Sequence, residues 1–260
     1  MKIISLYSGS KGNSTLISAG GANVLIDAGR SAGKLTEALA EVEFTPDDID
    51  AIFITHEHTD HVSALEILLK KHPIPVHITE PSAEKLLAKR LSHVTENLVI
   101  HPPVFSEKVN GLSVTSFPTP HDSSCCVGYR LSFEMDGKEH SIGYATDTGY
   151  VTDEIISGLT GCEWVIIEAN HDVETLKCGR YPAELKRRIL SKRGHLSNAD
   201  CALLAARLVQ SGTKSIMLAH LSEENNDPQI AYDEVAAVLG DSSVKLAVTD
   251  QFSTTTEELC

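Results

Sequence analysis

Six consecutive residues, His56-Glu57-His58-Thr59-Asp60-His61, constrain this chain more than any other feature. They follow directly on Ala51 to Thr55, an apolar run that reads as a buried strand. The rigid end of a sheet must therefore present three imidazoles and a carboxylate side by side. These are nitrogen and oxygen donors that zinc, manganese or iron accept. So short a segment cannot wrap all four donors round one ion in good geometry, and the spacing predicts two neighbouring ions sharing the loop. A helix start crowded with histidines has no evident structural use.

Short β-branched runs alternate with amphipathic stretches along the rest of the chain, the pattern of a layered α/β protein. Strands are expected at Lys2 to Tyr7, Thr15 to Ser18 and Val24 to Ile26, the first two joined by a hairpin loop, Ser8 to Asn13. That loop reads either as a plain tight turn or as backbone N–H groups offered to a phosphate. Helices are expected over Gly33 to Val42 and Val62 to Lys71, with a strand at Ile74 to Ile78. Leu98 to Tyr144 reads as strand-rich, with turns at Asn110-Gly111 and Asp136-Gly137. The last third sets strands at Trp164 to Ile167, Ser215 to Leu218 and Val244 to Val248 among helices at Pro182 to Leu190, Asn198 to Val209 and Pro228 to Val238. Asp227 before Pro228 is a good N-cap. With 260 residues, 42% of them hydrophobic, and no linker or repeat, one domain spanning 1–260 is expected.

Three more candidate ligands follow predicted strands: His121 after Val114 to Phe117 and Pro118-Thr119-Pro120, Asp147 after Ile142 to Thr146, and His220 after Ile216 to Ala219. Together with the histidine loop they complete two sets. His56, His58 and His121 would hold one ion, Asp60, His61 and His220 the other, and Asp147 would bridge them, leaving an open position on each for a shared hydroxide. Two divalent ions offset by two carboxylates and a hydroxide leave about one positive charge, which favours an anionic substrate such as a phosphodiester.

Composition narrows the classes further. A net charge of -14 excludes the uniformly basic surface of a non-specific nucleic-acid coat. The charge is uneven, however: from Lys177 to Arg193 seven basic residues stand against the single acid Glu184. Cysteines at 125, 126, 162, 178, 201 and 260 form no CxxC pair, which suits reduced thiols in the cytoplasm. No run approaches the roughly 20 apolar residues of a membrane span, and Met1 to Tyr7 is too short and too polar for a signal peptide. A cytoplasmic protein with no membrane partner is expected. His72, His77, His93, His101 and His140 have no partner pattern and read as ordinary polar residues.

The order of His-Glu-His-Thr-Asp-His, His121, Thr146-Asp147-Thr148-Gly149 and Leu218-Ala219-His220-Leu221-Ser222 resembles the metallo-β-lactamase superfamily. Ser5 to Asn13, Leu25 to Gly29, Glu168 to Asp172, Arg193 to Asn198 and Leu218 to Asn226 extend the resemblance to the YycJ/WalJ group of bacterial exonucleases. The resemblance implies an α/β fold, a four-layer αββα sandwich, and two divalent ions, zinc or manganese. It also implies a 5′ to 3′ exonuclease on double-stranded DNA that works through the metal-bridging hydroxide. By matching, Asp27 would accept a hydrogen bond from a ligand imidazole and fix its tautomer. His195 with Glu168 resembles the pair of the ribonuclease Z and J enzymes, where the imidazole faces the scissile phosphate. With Asp60 they make the catalytic set. His171 matches the group's Asn-His-Asp motif, as a phosphate contact or a structural hydrogen bond. Arg187, Arg188, Lys192 and Arg193, just before His195, would track a polymer backbone. Hydrolysis of a small phosphodiester or thioester, and a ribonuclease of the Z/J type, stand as alternatives. A di-iron redox protein usually has Glu where His58 stands and carries a flavin domain, and the full ligand set speaks against a non-catalytic scaffold. No protein partner is readable.

Overall fold

Alternation of burial along the first strands sorts their side chains onto two faces. In β1 (Lys2–Tyr7), β2 (Ser14–Ala19), β3 (Ala22–Ile26) and β4 (Ala51–Phe53), Ile3, Ile17, Val24, Ile26 and Phe53 face one way. Ile4, Leu6, Leu16, Leu25 and Ile52 face the other. A sheet with two apolar faces has to be covered on both. The computed structural model, which describes residues 1–259, does this with two sheets and two layers of helices.

The first sheet adds β5 (Val76–Thr79), β6 (Leu98–His101) and β14 (Thr255–Glu258) in the order β14-β1-β2-β3-β4-β5-β6. The second holds β7 (Ser106–Val109), β8 (Leu112–Thr119), β9 (Cys126–Met135), β10 (Lys138–Ala145), β11 (Trp164–Glu168), β12 (Ser215–Ala219) and β13 (Lys245–Val248) in the order β13-β12-β11-β10-β9-β8-β7. Phe53, Val114, Tyr129, Leu131, Tyr144 and Trp164 fill the space between the sheets. Helices α1 (Ala32–Glu41), α3 (Leu65–Leu69), α4 (Glu80–Ala88) and α5 (Ser92–Asn97) cover the outer face of the first sheet through Leu35, Leu39, Leu68, Leu86 and Val94. Helices α6 (Asp153–Leu159), α9 (Asn198–Gln210) and α10 (Pro228–Leu239) cover the second through Ile155, Leu159, Leu204, Leu208 and Val235. This is the four-layer αββα sandwich. Among the described residues no helix is long and apolar enough to cross a membrane.

The helix expected over Val62 to Lys71 starts early and breaks. It is α2 (Thr59–Val62) followed by α3. The carbonyls of Asp60 and His61, which would accept from Ala64 and Leu65, instead accept from Asn13 N and Ala28 N, each at 2.8 Å, and Ala64 N donates to Ala28 O. The helical ladder is thus exchanged for bonds that lash the histidine loop to the start of β2 and the end of β3. Helices α4, α5, α6 and α7 (Val173–Cys178), and strand β14, go beyond the elements that the sequence pattern predicts; they are short, and α6 contains Gly158. At the Asp136-Gly137 hairpin both residues are left-handed (φ 52° and 72°), as a type I′ turn demands. His77 and His101 differ from their reading as ordinary polar residues. Both are buried, hydrogen-bonded to each other at 2.9 Å and stacked on Phe53 and Phe105.

Gly29 marks the tightest point of this lashing: a Cβ there would overlap the Asp60 carbonyl and crowd Asn13 N at 2.6 Å. Overpacking of backbone against backbone costs about 1–3 kcal/mol or more. Gly29→Ala is expected to lower the thermal midpoint by about 5 °C or more and to reduce metal retention, read by differential scanning calorimetry and elemental analysis. An unchanged midpoint would show that the loop relaxes freely.

Candidate metal centre

Side chains following the carboxyl ends of β3, β4, β8, β10 and β12 converge on one edge of the sandwich. There Asp27 follows β3, the histidine loop follows β4, and His121, Asp147 and His220 follow β8, β10 and β12; Glu168 ends β11. Asp27, Asp147 and His220 all adopt left-handed backbone (φ 63°, 55° and 58°), turning each side chain back over its strand end. Such non-glycine conformations cost of order 1–3 kcal/mol and persist where the surroundings over-determine them.

The candidate donors fall into overlapping groups whose ligand atoms lie within 4.8 Å of one another: His56, His58 and His121; Asp60, His61 and His220; His56, His61 and Asp147; and Asp147, Glu168, His195 and His220. Asp147 stands between the two halves. Its Oδ2 is 3.5 Å from His61 Nε2, and its Oδ1 is 3.6 Å from His220 Nε2 and 3.8 Å from His121 Nε2.

Four imidazoles share one arrangement. His61 Nδ1 meets Asp27 Oδ2 at 2.8 Å, His121 Nδ1 donates to Gly194 O at 3.0 Å, and His220 Nδ1 meets Glu168 Oε1 at 3.0 Å. His56 Nδ1 lies 3.1 Å from Thr55 Oγ1. In each case Nδ1 is occupied and Nε2 is left for the centre, as outer partners of metal-binding histidines arrange. His56 Nε2, His220 Nε2 and Asp147 Oδ2 are buried without a hydrogen-bond partner. Orphaned buried polar atoms of this kind are costly, and divalent cations among them would resolve the cost. The donor set fits such ions.

Charge distribution agrees. Burial opposes charge on His61, but Asp27, Asp60 and Asp147 outweigh it and hold the imidazole well above its ordinary range. Against its own burial, His220 is pushed up to about 10 by Asp147, Asp60 and Glu168. Burial opposes ionisation of Asp147 too, yet His220, His61 and His121 keep its carboxyl below the ordinary range. Burial, reinforced by neighbouring imidazoles, depresses His56.

A family profile described as Beta-lactamase superfamily domain matches residues 22–221. The chain belongs to the metallo-β-lactamase superfamily. Within the superfamily it groups with the WalJ and YycJ proteins. It is 38% identical over 245 residues to "Exodeoxyribonuclease WalJ" of Streptococcus pneumoniae, covering 94% of this chain and 90% of that one. It is 36% identical over 240 residues to "Exodeoxyribonuclease YycJ" of Bacillus anthracis, covering 90% and 87%. The metallo-β-lactamase fold protein YhfI from Bacillus subtilis superposes with a TM-score of 0.73 at 17% identity, over 98% of this chain and 99% of that one. The chain is a metal-dependent hydrolase.

Several residues of this superfamily member act on the centre without any signal read from the sequence. Thr55 gives its backbone N–H and its hydroxyl to Asp27. Asn13 donates to Asp60 Oδ2 at 3.3 Å and lies 3.1 Å from His61 Nε2, and Ser8 Oγ accepts from His220 N. Glu57, inside the motif, accepts from Ser82 Oγ and Ser124 N and so ties the loop to the segment after His121. Its place beside the histidines is its only visible mark in the sequence.

The basic residues divide. Helix α8 (Ala183–Ile189) borders a cavity of about 150 Å³ lined by Arg188, Ile189, His121, His195, Ser10 and Ser222. Arg188 Nε donates to Asp122 Oδ2 at 2.5 Å, and Asp122 Oδ1 lies 3.2 Å from His121 Nε2. Arg193 donates to the carbonyls of His121 and Ser123, whereas Arg187 and Lys192 are exposed. His171 is buried, and neither ring nitrogen has a partner among the described residues.

An imidazole must be neutral at the nitrogen that binds a metal. Below its raised pKa of about 10, His220 holds its proton when no ion is present, as does His61 below its own raised value. Metal uptake near pH 7 is therefore expected to release about one to two protons and to tighten as pH rises. Titration calorimetry in buffers of different ionisation enthalpy measures the release; a buffer-independent enthalpy would contradict it.

Proposed function

We propose that this chain is a nuclease, a 5′ to 3′ exonuclease on double-stranded DNA, with two zinc or manganese ions. Asp147, whose Oδ1 faces His121 Nε2 of one half of the site and His220 Nε2 of the other, is the observation that carries the two-ion reading. His56, His58 and His121 would hold one ion and Asp60, His61 and His220 the other, with Asp147 shared. When bound, the ions supply Lewis acidity for phosphoryl oxygens and lower the pKa of the attacking water. The identity to two proteins named exodeoxyribonuclease supports the substrate class.

His195 has the position of an acid for the leaving oxygen. It is 19% exposed, and its Nδ1 meets Glu168 Oε1 at 2.7 Å, leaving Nε2 free for substrate. Glu168 is fully buried, and its Oε2 accepts from Thr148 N and Leu196 N. The carboxylate stays ionised: burial opposes it, but His195 and His220 hold it below the ordinary carboxylate range. It therefore orients the His195 ring. Arg187 and Lys192, exposed on and beyond α8, are the cations available to backbone phosphates.

End-labelled DNA and RNA, single- and double-stranded, incubated with metal-loaded protein beside a generic small diester, test the reading. Release of mononucleotides from duplex DNA is expected, and turnover of the small diester alone would replace the nuclease by the small-substrate reading. His195→Ala should retain about two ions by elemental analysis while losing roughly 10²- to 10⁴-fold in turnover. Loss of metal would make His195 a ligand.

If the α8 edge tracks the polymer, Arg187→Gln with Lys192→Gln should raise KM for DNA and flatten its log-log salt slope by about 0.9 for each phosphate no longer bound. An unchanged slope would make these residues a solvated face.

A further inference from the structure

The most exposed aromatic side chain among the described residues lies against the Ser8 to Asn13 loop, whose Asn13 donates to Asp60. Phe252 is 61% exposed, although its sequence surroundings give it no partner strand or helix to cover. It is held from beneath by a layered stack. Tyr7 is buried, with its hydroxyl donating to Gly29 O at 2.6 Å. The Arg30 guanidinium carbon lies 4.9 Å from the Tyr7 ring centroid and 5.1 Å from that of Phe252. Arg30 Nη2 donates to Gln251 O at 2.6 Å, which fixes the fork between the two rings. Lys11 Nζ lies 5.6 Å from the Phe252 centroid and is also paired with Glu223 at 2.7 Å.

This stack is linked to the centre through the loops that carry it. Lys11 belongs to the Ser8 to Asn13 loop, whose Asn13 donates to Asp60 and whose Ser8 accepts from His220 N. On the other side, Asp250 O accepts from Ser8 N, and Gln251 Nε2 donates to the carbonyl of Leu221, the residue after His220. The turn that presents Phe252 is set by Asp250 Oδ1, which accepts from the backbone of Phe252 and Ser253 at 2.7 and 2.8 Å. The cavity beside His195 is lined by Ser10 and Ser222 as well as by Arg188 and Ile189.

An exposed aromatic face with cations beside it, tied to the loop that bonds the candidate ligands, suits an unpaired base: the base stacks without regard to sequence and the cations favour the backbone. We propose that Phe252, backed by Arg30 and Lys11, is the platform on which the base of a terminal, unpaired nucleotide stacks while the adjoining phosphodiester lies at the metal centre. This assignment rests on the nuclease reading. It makes Phe252 a substrate-binding residue that acts on the base, whereas α8 acts on the phosphates.

The test uses metal-loaded full-length protein and a DNA duplex with a short single-stranded overhang at the digested end. The terminal nucleotide is 2-aminopurine in one substrate and abasic in the other. Stacking should quench the 2-aminopurine emission on binding, and Phe252→Ala should abolish the quench and lower kcat/KM by roughly 5- to 100-fold. Phe252→Trp should restore both. The abasic substrate should suffer a similar reduction with the unaltered protein, and little more with Phe252→Ala, because both changes remove the same interaction. Metal content and thermal midpoint should be unchanged in the variants. Digestion with equal rates on both substrates, or reductions from variant and abasic end that simply multiply, would overturn the platform and leave the nuclease standing. Failure of the unaltered protein to bind or cut either duplex would overturn both.

Discussion

The carboxylate of Asp27 is the contact on which the rest of the centre depends. It is fully buried at the end of β3 and accepts from Thr55 N at 2.8 Å and Thr55 Oγ1 at 2.9 Å, and it meets His61 Nδ1 at 2.8 Å. Burial pushes its proton affinity up by more than His61 and Thr55 bring it down. A lone charge in such a place is unfavourable, and removal of one partner from a buried pair typically costs about 3–5 kcal/mol. Asp27 therefore links the end of one strand, the end of the next and the first turn of α2 into a unit that cannot be loosened piecemeal.

Around that unit the backbone is arranged before any ligand arrives. Asn13 N, Gly29 N and Ala28 N form a net with Asp60 O, Asn13 O and His61 O, and this net interrupts the helix that the local sequence favours. Helical bonds are given up, and donors are held to the narrow geometry that metal coordination requires. The left-handed turns at Asp147 and His220 serve the same end on the second sheet. Glu168 joins the two tasks of the site, because one of its oxygens contacts both His220, a candidate ligand, and His195, the candidate acid.

The electrostatics follow the same division. A chain of net charge -14 repels a polyanion at long range. On the nuclease reading, binding would come from local features: the ions, the exposed cations on and beyond α8, and the proposed aromatic platform at Phe252. Several basic residues of the Lys177 to Arg193 window serve the fold instead. Lys186 donates to the carbonyls of Lys177 and Gly179, and Arg193 to those beyond the end of β8.

The sequence by itself determined the layered α/β class, most of the strands, and the histidines and aspartates of a candidate metal centre, because donors at strand ends leave a local pattern of residue type and spacing. Residues such as Asp27 and Glu168 were legible only through the resemblance they share with a family. Tertiary structure alone decided the rest. Nothing in the order of residues says that Glu57 braces the loop after His121, that Asn13 reaches Asp60, or that α2 and α3 separate because distant amides take the carbonyls between them. Lys11, Arg30 and Phe252 lie far apart in the chain and meet only when β14 pairs with β1 and carries the segment before it over the Ser8 to Asn13 loop. Spacing encodes what neighbours in sequence can do; closure of the sheets decides which strangers become neighbours.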